Sequence, residues 1–363
     1  MKCKDPYISF IGFARNDDYV PDRAKRHSFS LQLLIDQLEE KKIPSEIIIV
    51  EWNYSEEKAR LAETISIESS TEWTRVRVIR VPSRYHRQYK FWQSKVFHVG
   101  AAVNVGIRRA LGKFVLPIAS DVFFTESCLE IIAKQDLDEN CFYRCDRCDI
   151  DPIIFNKLET SEDKSRNAFF QLCESHVLDH HKKILQDSSY CIADLHTNAC
   201  GDFCLVSRKK IEEIRGFKEG IDVGGLDIDS LVLHALKGLG CHEKILPEEC
   251  KVYKIFHPRS TARSVQRNMD TSWVQKLDVF LNRWGFSGKT INSFRILLNY
   301  PKRSFSYAPN AIFDSFEKNF VKPARRWAKK RPPFALNRAD WGLRNEKFEE
   351  NEITLFQAQT VSG

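Results

Sequence analysis

Residues 104–121 read NVGIRRALGKFVLPIASD, and this stretch decides the fold. Its first part completes a helical pattern that runs from about Ser94 to Leu111, with apolar residues recurring on one face. Gly112 separates this helix from an apolar run at Lys113–Ile118, which has the length and composition of a buried strand, and Asp121 follows that strand. A helix that leads into a short buried strand is one unit of an alternating α/β fold.

The same alternation extends toward the N-terminus. Apolar residues at helical spacing, Leu31, Leu34 and Leu38, predict a helix after the first of three short runs rich in β-branched residues. Runs that are apolar almost throughout are typical of strands buried on both faces, so we expect parallel strands joined by crossover helices. The predicted strands are Ile8–Ala14, Glu46–Trp52 and Val76–Val81.

The pattern changes after Asp121. Residues 141–151 predict one strand, Asp202–Ser207 predict another, and apolar spacing predicts a helix at Ile228–Leu239. Residues 152–199 are rich in charge and histidine and have weak periodicity, so we interpret them as an irregular, partly helical insert.

The composition limits the classes of protein. With 363 residues, 42% of them hydrophobic, the chain can bury a sizeable core. No apolar run reaches the roughly 20 residues of a membrane span, and residues 1–5 lack the order of a signal peptide, so we expect a cytoplasmic protein. The net charge of +7 is modest, and we recognise no nucleic-acid-binding module, so nucleic acid is not an expected partner.

Polar residues follow the predicted strands. Arg15 and Asn16 come after the first strand, Glu51 closes the second, and Ser120 and Asp121 come after the fourth. In open α/β sheets, ligands bind outside the carboxyl ends of the strands. Asp and Asn are also ordinary turn residues, but their recurrence along one edge predicts a binding site there.

Two groups of motifs, taken in their order along the chain, resemble glycosyltransferase family 2 and its GT-A relatives. The first is the stretch 104–121 quoted above, and the second comprises Gly201-Asp202-Phe203, Gly216-Phe217, Gly225 and Asp227-Ile228-Asp229. The resemblance covers residues 7–257. It implies a GT-A, Rossmann-like domain with a mixed, mainly parallel sheet flanked by helices, and transfer of a sugar from a nucleotide-sugar donor to a hydroxyl, with inversion.

The resemblance also implies a division of the chain. We expect a GT-A domain at 1–257, with a nucleotide-binding half at 7–121 and an acceptor half at 122–257 that contains the insert. Residues 258–363 are expected to form a helical, basic C-terminal extension. The implied setting is polysaccharide or surface-glycan synthesis, with a hexosyl or N-acetylhexosaminyl group as the sugar.

The metal expected for this family is Mn²⁺ or Mg²⁺, which stabilises the departing diphosphate as a Lewis acid. The resemblance assigns Asp121 and His257 as its ligands. Ala119 stands where the family has the first acid of its Asp-x-Asp element, so this chain lacks one expected ligand. The alternatives are that Asp121 only ends a strand and that His257 is a structural loop residue.

A base must remove the proton of the acceptor hydroxyl. By the family's motif this role falls to Asp227, and Asp229 is the second candidate, since both precede or begin a predicted helix. Leu226 replaces the glutamate that is usual in the motif. The structural alternative is an N-cap, for which Asp is a favoured residue.

The nucleotide sugar, with UDP as the expected nucleotide, has six further candidate contacts by family position. A solvated surface position explains an isolated Arg or Asn equally well. The candidates are Arg15, Asn16, Glu51, Asn104, Arg108 and Ser120, together with Asp121.

Other features allow further interpretations. His176, His180 and His181 have helical spacing that suits a metal site, but a solvated helix face is the favoured interpretation. The basic segment 321–331 around Trp327 fits either a solvated face or peripheral contact with an anionic membrane that presents a lipid-linked glycan acceptor.

Two rival functions remain. A non-catalytic GT-A scaffold that binds a glycan or partner is suggested by Ala119 and Leu226. A sugar nucleotidyltransferase would need a glycine-rich phosphate loop after the first strand, and residues 12–17 contain one glycine.

Overall fold

Two sheets organise the described residues of the computed structural model, which are 5–15, 23–65, 67, 72–89, 97–182, 195–196, 199–219, 228–256 and 335–353. Their elements, in chain order, are β1 (Ile8–Ala14), α1 (Arg23–Glu40), β2 (Ser45–Tyr54), α2 (Leu61–Thr64), β3 (Thr74–Pro82), α3 (Ser83–His86), α4 (Val99–Arg109), β4 (Phe114–Pro117), β5 (Val122–Phe124), α5 (Glu126–Ala133), β6 (Cys141–Arg144), β7 (Asp146–Ile150), α6 (Ile153–Thr160), α7 (Arg166–Ser175), β8 (Val177–His181), β9 (Leu205–Ser207), α8 (Arg208–Glu213), α9 (Ile228–Gly238), β10 (His242–Ile245), β11 (Lys251–Ile255), a 3-10 turn (Trp341–Leu343) and β12 (Glu349–Glu352).

The larger sheet has eight strands in the order β10-β6-β9-β4-β1-β2-β3-β12. β9 is antiparallel to its neighbours β4 and β6, and β12 is antiparallel to β3, while the other six strands run in one direction. The predicted mixed, mainly parallel sheet is therefore confirmed. Its central strands are the apolar runs seen in the sequence, and β1 has the predicted bounds.

Helices cover both faces of this sheet. On one face, α4 and α9 contribute residues such as Ala101, Val105 and Leu231 to one hydrophobic core. On the other face, α1 and α5 contribute Ile35 and Leu129 to a second core. Burial of both faces explains why β1 is mostly apolar and why the middle of β2 is the apolar run Ile47–Val50.

The smaller sheet has four strands in the order β5-β11-β7-β8. One face is apolar: Phe123, Ile150 and Tyr253 join Phe169 of α7 and Leu33 of α1 in a third core. Arg147 and Asp149 of β7 and Lys254 of β11 alternate with these residues and face the other way, beside the apolar Val252. The smaller sheet therefore presents a polar face, described below.

The single strand predicted at 141–151 is wrong. β6 pairs with β9 and β10 in the larger sheet, whereas β7 pairs with β11 and β8 in the smaller one. Cys145 alone separates the two strands. The pattern did not reveal this because both strands and Cys145 between them are almost entirely buried.

The insert predicted at 152–199 is more regular than expected where the structure describes it. It contains α6, α7 and β8. His180 and His181 lie on β8, so the helical spacing assumed for these histidines is wrong.

The predicted helical extension also differs in the part that the structure describes, 335–353. These residues form the 3-10 turn and β12, an added edge strand beside β3. Glutamates of β12 form ion pairs with arginines of β3, at 3.1 Å for Glu349–Arg80 and 2.9 Å for Glu350–Arg77. The boundary predicted at 257 stays a prediction, because 257–334 lie outside the described residues.

Among the described residues, no helix combines the length and the apolar character that crossing a bilayer requires.

Gly112 allows the close approach of the α4–β4 connection to β1. A Cβ at this position would lie 2.6 Å from the backbone nitrogen of Ser9 and 2.7 Å from the carbonyl carbon of Ile8. We predict that Gly112→Ala lowers the free energy of unfolding by about 3 kcal/mol, because the backbone of a central strand must shift. Urea denaturation measures the change.

Gly12 in β1 is the matched control. A Cβ there would make ordinary contacts of 3.7–3.9 Å. Gly12→Ala should therefore change the stability by less than about 1 kcal/mol. Equal effects of the two substitutions would contradict the packing described for Gly112.

Candidate active site

The carboxyl ends of β1, β2 and β4 meet at one edge of the larger sheet. Arg15 follows β1, and its neighbour Ala14 is level with Glu51 of β2. The backbone nitrogen of Ile118 donates to Ile11 at 2.9 Å, which keeps the chain beyond β4 beside β1 as it continues to Asp121. The structure thus brings Arg15, Glu51 and the Ser120-Asp121 turn to the same edge.

Asp121 joins this edge to the smaller sheet. The residue is 9% exposed, and its backbone oxygen accepts a hydrogen bond from the Ile255 nitrogen at 3.4 Å. Ser120 is half-buried beside it. β11 ends at Ile255, so the pairing of β5 with β11 brings the chain that leads to His257 next to Asp121.

A buried charge network covers the polar face of the smaller sheet. Arg147 forms ion pairs with Asp202 and with Asp149, the latter at 3.0 Å between Nε and Oδ1. Lys254 Nζ donates to the other oxygen of Asp202 at 2.6 Å. Burial alone would raise the pKa of Asp202, but Lys254 and Arg147 overcome this effect and hold its pKa at about 2.

This network reaches the second group of acids. Asp229 lies in the first turn of α9 and packs against Gly201. A Cβ added to Gly201 would lie only 2.8 Å from Oδ2 of Asp229. Gly201 precedes Asp202, whose partner Lys254 precedes Ile255 and its bond to Asp121. A continuous chain of contacts therefore connects the surroundings of Asp121 and Asp229.

Glu51 is engaged inside the protein. Its Oε2 accepts from Arg80 Nε at 2.9 Å, its Oε1 accepts from the backbone nitrogen of Leu61 at 3.1 Å, and its side chain is 1% exposed. Burial raises the pKa of Glu51 despite the ion pair with Arg80. Both carboxylate oxygens of Glu51 therefore have partners inside the protein. The contact with a nucleotide that the sequence predicts for Glu51 stays a prediction.

Asn104 and Arg108 were predicted to contact the nucleotide sugar at its diphosphate. In the structure both contact other parts of the protein. α4 runs from the carboxyl edge of the sheet to its amino edge, where β4 begins, so Arg108 in its last turn lies away from the site. The Arg108 guanidinium lies 4.8 Å from the centre of the Trp341 ring. The amide of Asn104 is buried and bonds to Phe217 and Glu219. Periodicity placed both residues on one helix but did not show what covers that helix.

Asn16, Asp227 and His257 lie outside the described residues, so their roles stay predictions.

One group in the described chain has the spacing of a metal site: ligand atoms of Asp149, Asp179 and His181 lie within 4.8 Å of one another. A cation already lies among them, because Arg147 Nη2 is 2.9 Å from His181 Nε2 and 3.3 Å from Asp149 Oδ2. The guanidinium of Arg147 therefore already bonds to two of the three members of this group. Sequence analysis singled out His181 but could not join it to Asp149, because Asp149 lies on β7 whereas Asp179 and His181 lie on β8.

The fold defines the class: strands β3-β2-β1-β4, with the antiparallel β9 between β4 and β6, belong to a mixed, mainly parallel α/β sheet with helices on both faces.

No protein-family model matches the chain, and comparison with curated protein sequences gives no match. Among solved structures, the chain is similar to residues 1–349 of S. aureus TarS, at 12% identity and a TM-score of 0.43, over 80% of this chain and 76% of that one. A complex of TarS with UDP matches at 13% identity and a TM-score of 0.39, over 88% and 77%. The catalytic domain of Drosophila β1,4-galactosyltransferase 7 with xylobiose matches at 9% identity and a TM-score of 0.37, over 74% and 79%. At these values no residue role is transferred.

The ion pairs of Asp202 give a pH-dependent prediction. Its pKa is depressed in the folded state, so its contribution is complete above the ordinary pKa near 4 and is lost as the pH falls toward 2. Asp202→Asn should lower the free energy of unfolding by about 3 kcal/mol at pH 7, because Arg147 and Lys254 lose a buried partner. The difference from wild type should shrink by about 1 kcal/mol at pH 3.

Urea denaturation at pH 7 and pH 3 measures both effects, with the exposed Asp136→Asn as control. A difference independent of pH would show that Asp202 is not ionised in the folded protein.

Proposed function

We propose that this protein is a glycosyltransferase that moves a hexosyl or N-acetylhexosaminyl group from a nucleotide sugar, UDP being the expected nucleotide, to a hydroxyl of a glycan or lipid-linked acceptor. The observation that supports this proposal most directly is the pairing of β5 with β11. It places Asp121 beside the end of β11, two residues before His257, at the edge where β1 and β2 end. Ligands bind at this edge in open α/β sheets.

The donor is proposed to lie along that edge. Arg15 and Asn16 follow β1, and Ser120 and Asp121 follow β4, so a nucleoside diphosphate between them would meet donors from both strands. Arg108 is left out of the proposed site because it lies at the opposite edge.

Asp121 and His257 would hold the metal, Mn²⁺ or Mg²⁺. Carboxylate oxygen and imidazole nitrogen suit Mn²⁺, whereas Mg²⁺ prefers oxygen ligands, so this pair favours Mn²⁺. Ala119 leaves the protein with one carboxylate at this element, and phosphate oxygens would complete the coordination. The metal, when bound, supplies positive charge that stabilises the leaving diphosphate.

The acceptor hydroxyl is proposed to lose its proton to the carboxylate of Asp227. The oxygen then attacks the anomeric carbon, and the bond from that carbon to the diphosphate oxygen breaks with its electrons going to the diphosphate. Attack opposite to the leaving group inverts the anomeric carbon. Asp229, held beside Gly201 in the first turn of α9, is the second candidate base and is proposed to orient this part of the site.

The natural setting is polysaccharide or surface-glycan synthesis in the cytoplasm, with the basic segment 321–331 making peripheral contact with a membrane when the acceptor is lipid-linked.

A second candidate is a GT-A scaffold that binds without turnover. Ala119, together with the internal ion pair of Glu51, favours it, because two side chains expected at the donor site are missing or engaged elsewhere.

Calorimetry with UDP, with and without Mn²⁺, tests the proposal. We predict Mn²⁺-dependent binding that Asp121→Ala weakens at least tenfold, because the metal loses its carboxylate ligand. Asp227→Asn should keep UDP binding and lower transfer at least a hundredfold, because the amide cannot accept the proton. Transfer is measured as UDP release from UDP-sugars with glycan acceptors.

The control is Asp136→Asn, which changes an exposed carboxylate in the same way. Normal Mn²⁺-dependent binding by Asp121→Ala would refute the metal assignment. UDP binding without turnover of any sugar donor would favour the scaffold.

A further inference from the structure

The segment 335–343, called the strap below, is bonded to the turn 215–219. Asn337 Nδ2 donates to the backbone oxygens of Arg215 and Phe217, at 2.7 and 2.6 Å, and its Oδ1 accepts from the backbone nitrogen of Glu219 at 2.9 Å. The Leu336 nitrogen adds a bond to the Ile214 oxygen at 2.8 Å. One side chain of the strap thus satisfies three backbone groups of the turn.

Helix α4 holds the same turn from the other side. Asn104 Oδ1 accepts from the Phe217 nitrogen at 2.7 Å, and its Nδ2 donates to Glu219 Oε1 at 2.8 Å. The same Glu219 oxygen accepts from the Gly342 nitrogen of the strap, also at 2.8 Å. The Glu219 carboxylate therefore joins α4 and the strap. Burial raises its pKa, although these two donors oppose the effect.

The turn has a backbone that needs such support. Arg215 and Gly216 have φ values of 60° and 67°, in the left-handed region that a non-glycine residue such as Arg215 rarely adopts. Side chains that bind the backbone groups on both sides of these residues keep the turn in this conformation.

The residues on both sides of 220–227 lie against the first turn of α4. A Cβ on Gly100 would lie 2.8 Å from the Lys218 oxygen and 3.5 Å from the Ile228 side chain. Glu219 and Ile228 are the residues on either side of 220–227, the part of the sequence that includes Asp227. The strap holds the first of these two residues in place.

We propose that the strap is a positioning element of the acceptor side: Asn337, acting through the turn 215–219 and Glu219, is needed for sugar transfer and not for donor binding. The inference rests on the proposed function and deepens it. Asn337 is a positioning residue, since its contacts are to the turn and not to the edge at Asp121 where the donor is proposed to bind. A purely stabilising strap would instead affect binding and transfer only through the amount of folded protein.

The test compares Asn337→Ala with Asn351→Ala in the full-length chain. Asn351 is the matched control because it lies on β12, and its amide donates to the exposed Glu349 rather than to the turn. Three measurements are made: the Kd for UDP with Mn²⁺, kcat and KM for transfer, and hydrogen exchange of peptides that cover 215–219.

For Asn337→Ala we expect a UDP affinity within twofold of wild type, kcat for transfer at least tenfold lower, and exchange in 215–219 at least tenfold faster. Asn351→Ala should match wild type in all three. Unchanged transfer despite faster exchange, or loss of UDP affinity in proportion to loss of transfer, would overturn the inference.

Glu219 gives a second pair of variants that decides the question if Asn337→Ala does not fold. Glu219→Gln keeps the oxygen that accepts from Asn104 and Gly342 and should retain transfer, whereas Glu219→Ala removes it and should lower kcat at least tenfold. Equal transfer by the two would overturn the inference.

Failure of the proposed function has a different signature. Wild type would then bind no UDP with Mn²⁺ or transfer no sugar, whereas failure of the inference leaves wild-type transfer intact and insensitive to Asn337.

Discussion

The ion pairs of Asp202 with Arg147 and Lys254 are the interaction on which the arrangement of the site depends. Asp202 lies just before β9 of the larger sheet, whereas its partners lie on β7 and β11 of the smaller one. Replacement of such a network by apolar residues is often neutral for stability, but removal of one member is costly. We therefore infer that the network sets the relative position of the two sheets more than it adds stability.

The larger sheet could be predicted from the sequence because strands that are buried on both faces have apolar runs in their sequence. β1 matches its predicted bounds, and β2 and β3 extend the predicted runs by one or two residues at each end. β12 gave no such signal. Its sequence, Glu349–Glu352, is entirely polar, and it forms a strand because its glutamates meet arginines of β3 that are distant in sequence.

The sequence predicted those parts of the site that depend on local pattern and not those that depend on contacts between distant residues. Asp121 could be placed at a strand end because its position follows from local pattern alone. The partners of Asp202 could not be foreseen, since ion pairs between residues 52 and 55 positions apart leave no periodic trace. The role predicted for Arg108 came from its family position, and no local pattern could show that Trp341, from the segment 335–343, lies against its guanidinium.

Two sets of polar contacts flank the acceptor side of the proposed site. The Asp202 network supports Gly201, which contacts Asp229, and the strap supports the turn that ends at Glu219. Hydrogen bonds are directional, so they fix orientation more narrowly than apolar contacts of similar free energy. Leu336 and Trp341 of the strap and Phe217 of the turn also belong to the first hydrophobic core. The acceptor side is therefore held by apolar packing and by directional polar contacts together, and the polar contacts of Asn337 are the part that a substitution can remove while those apolar residues stay in place.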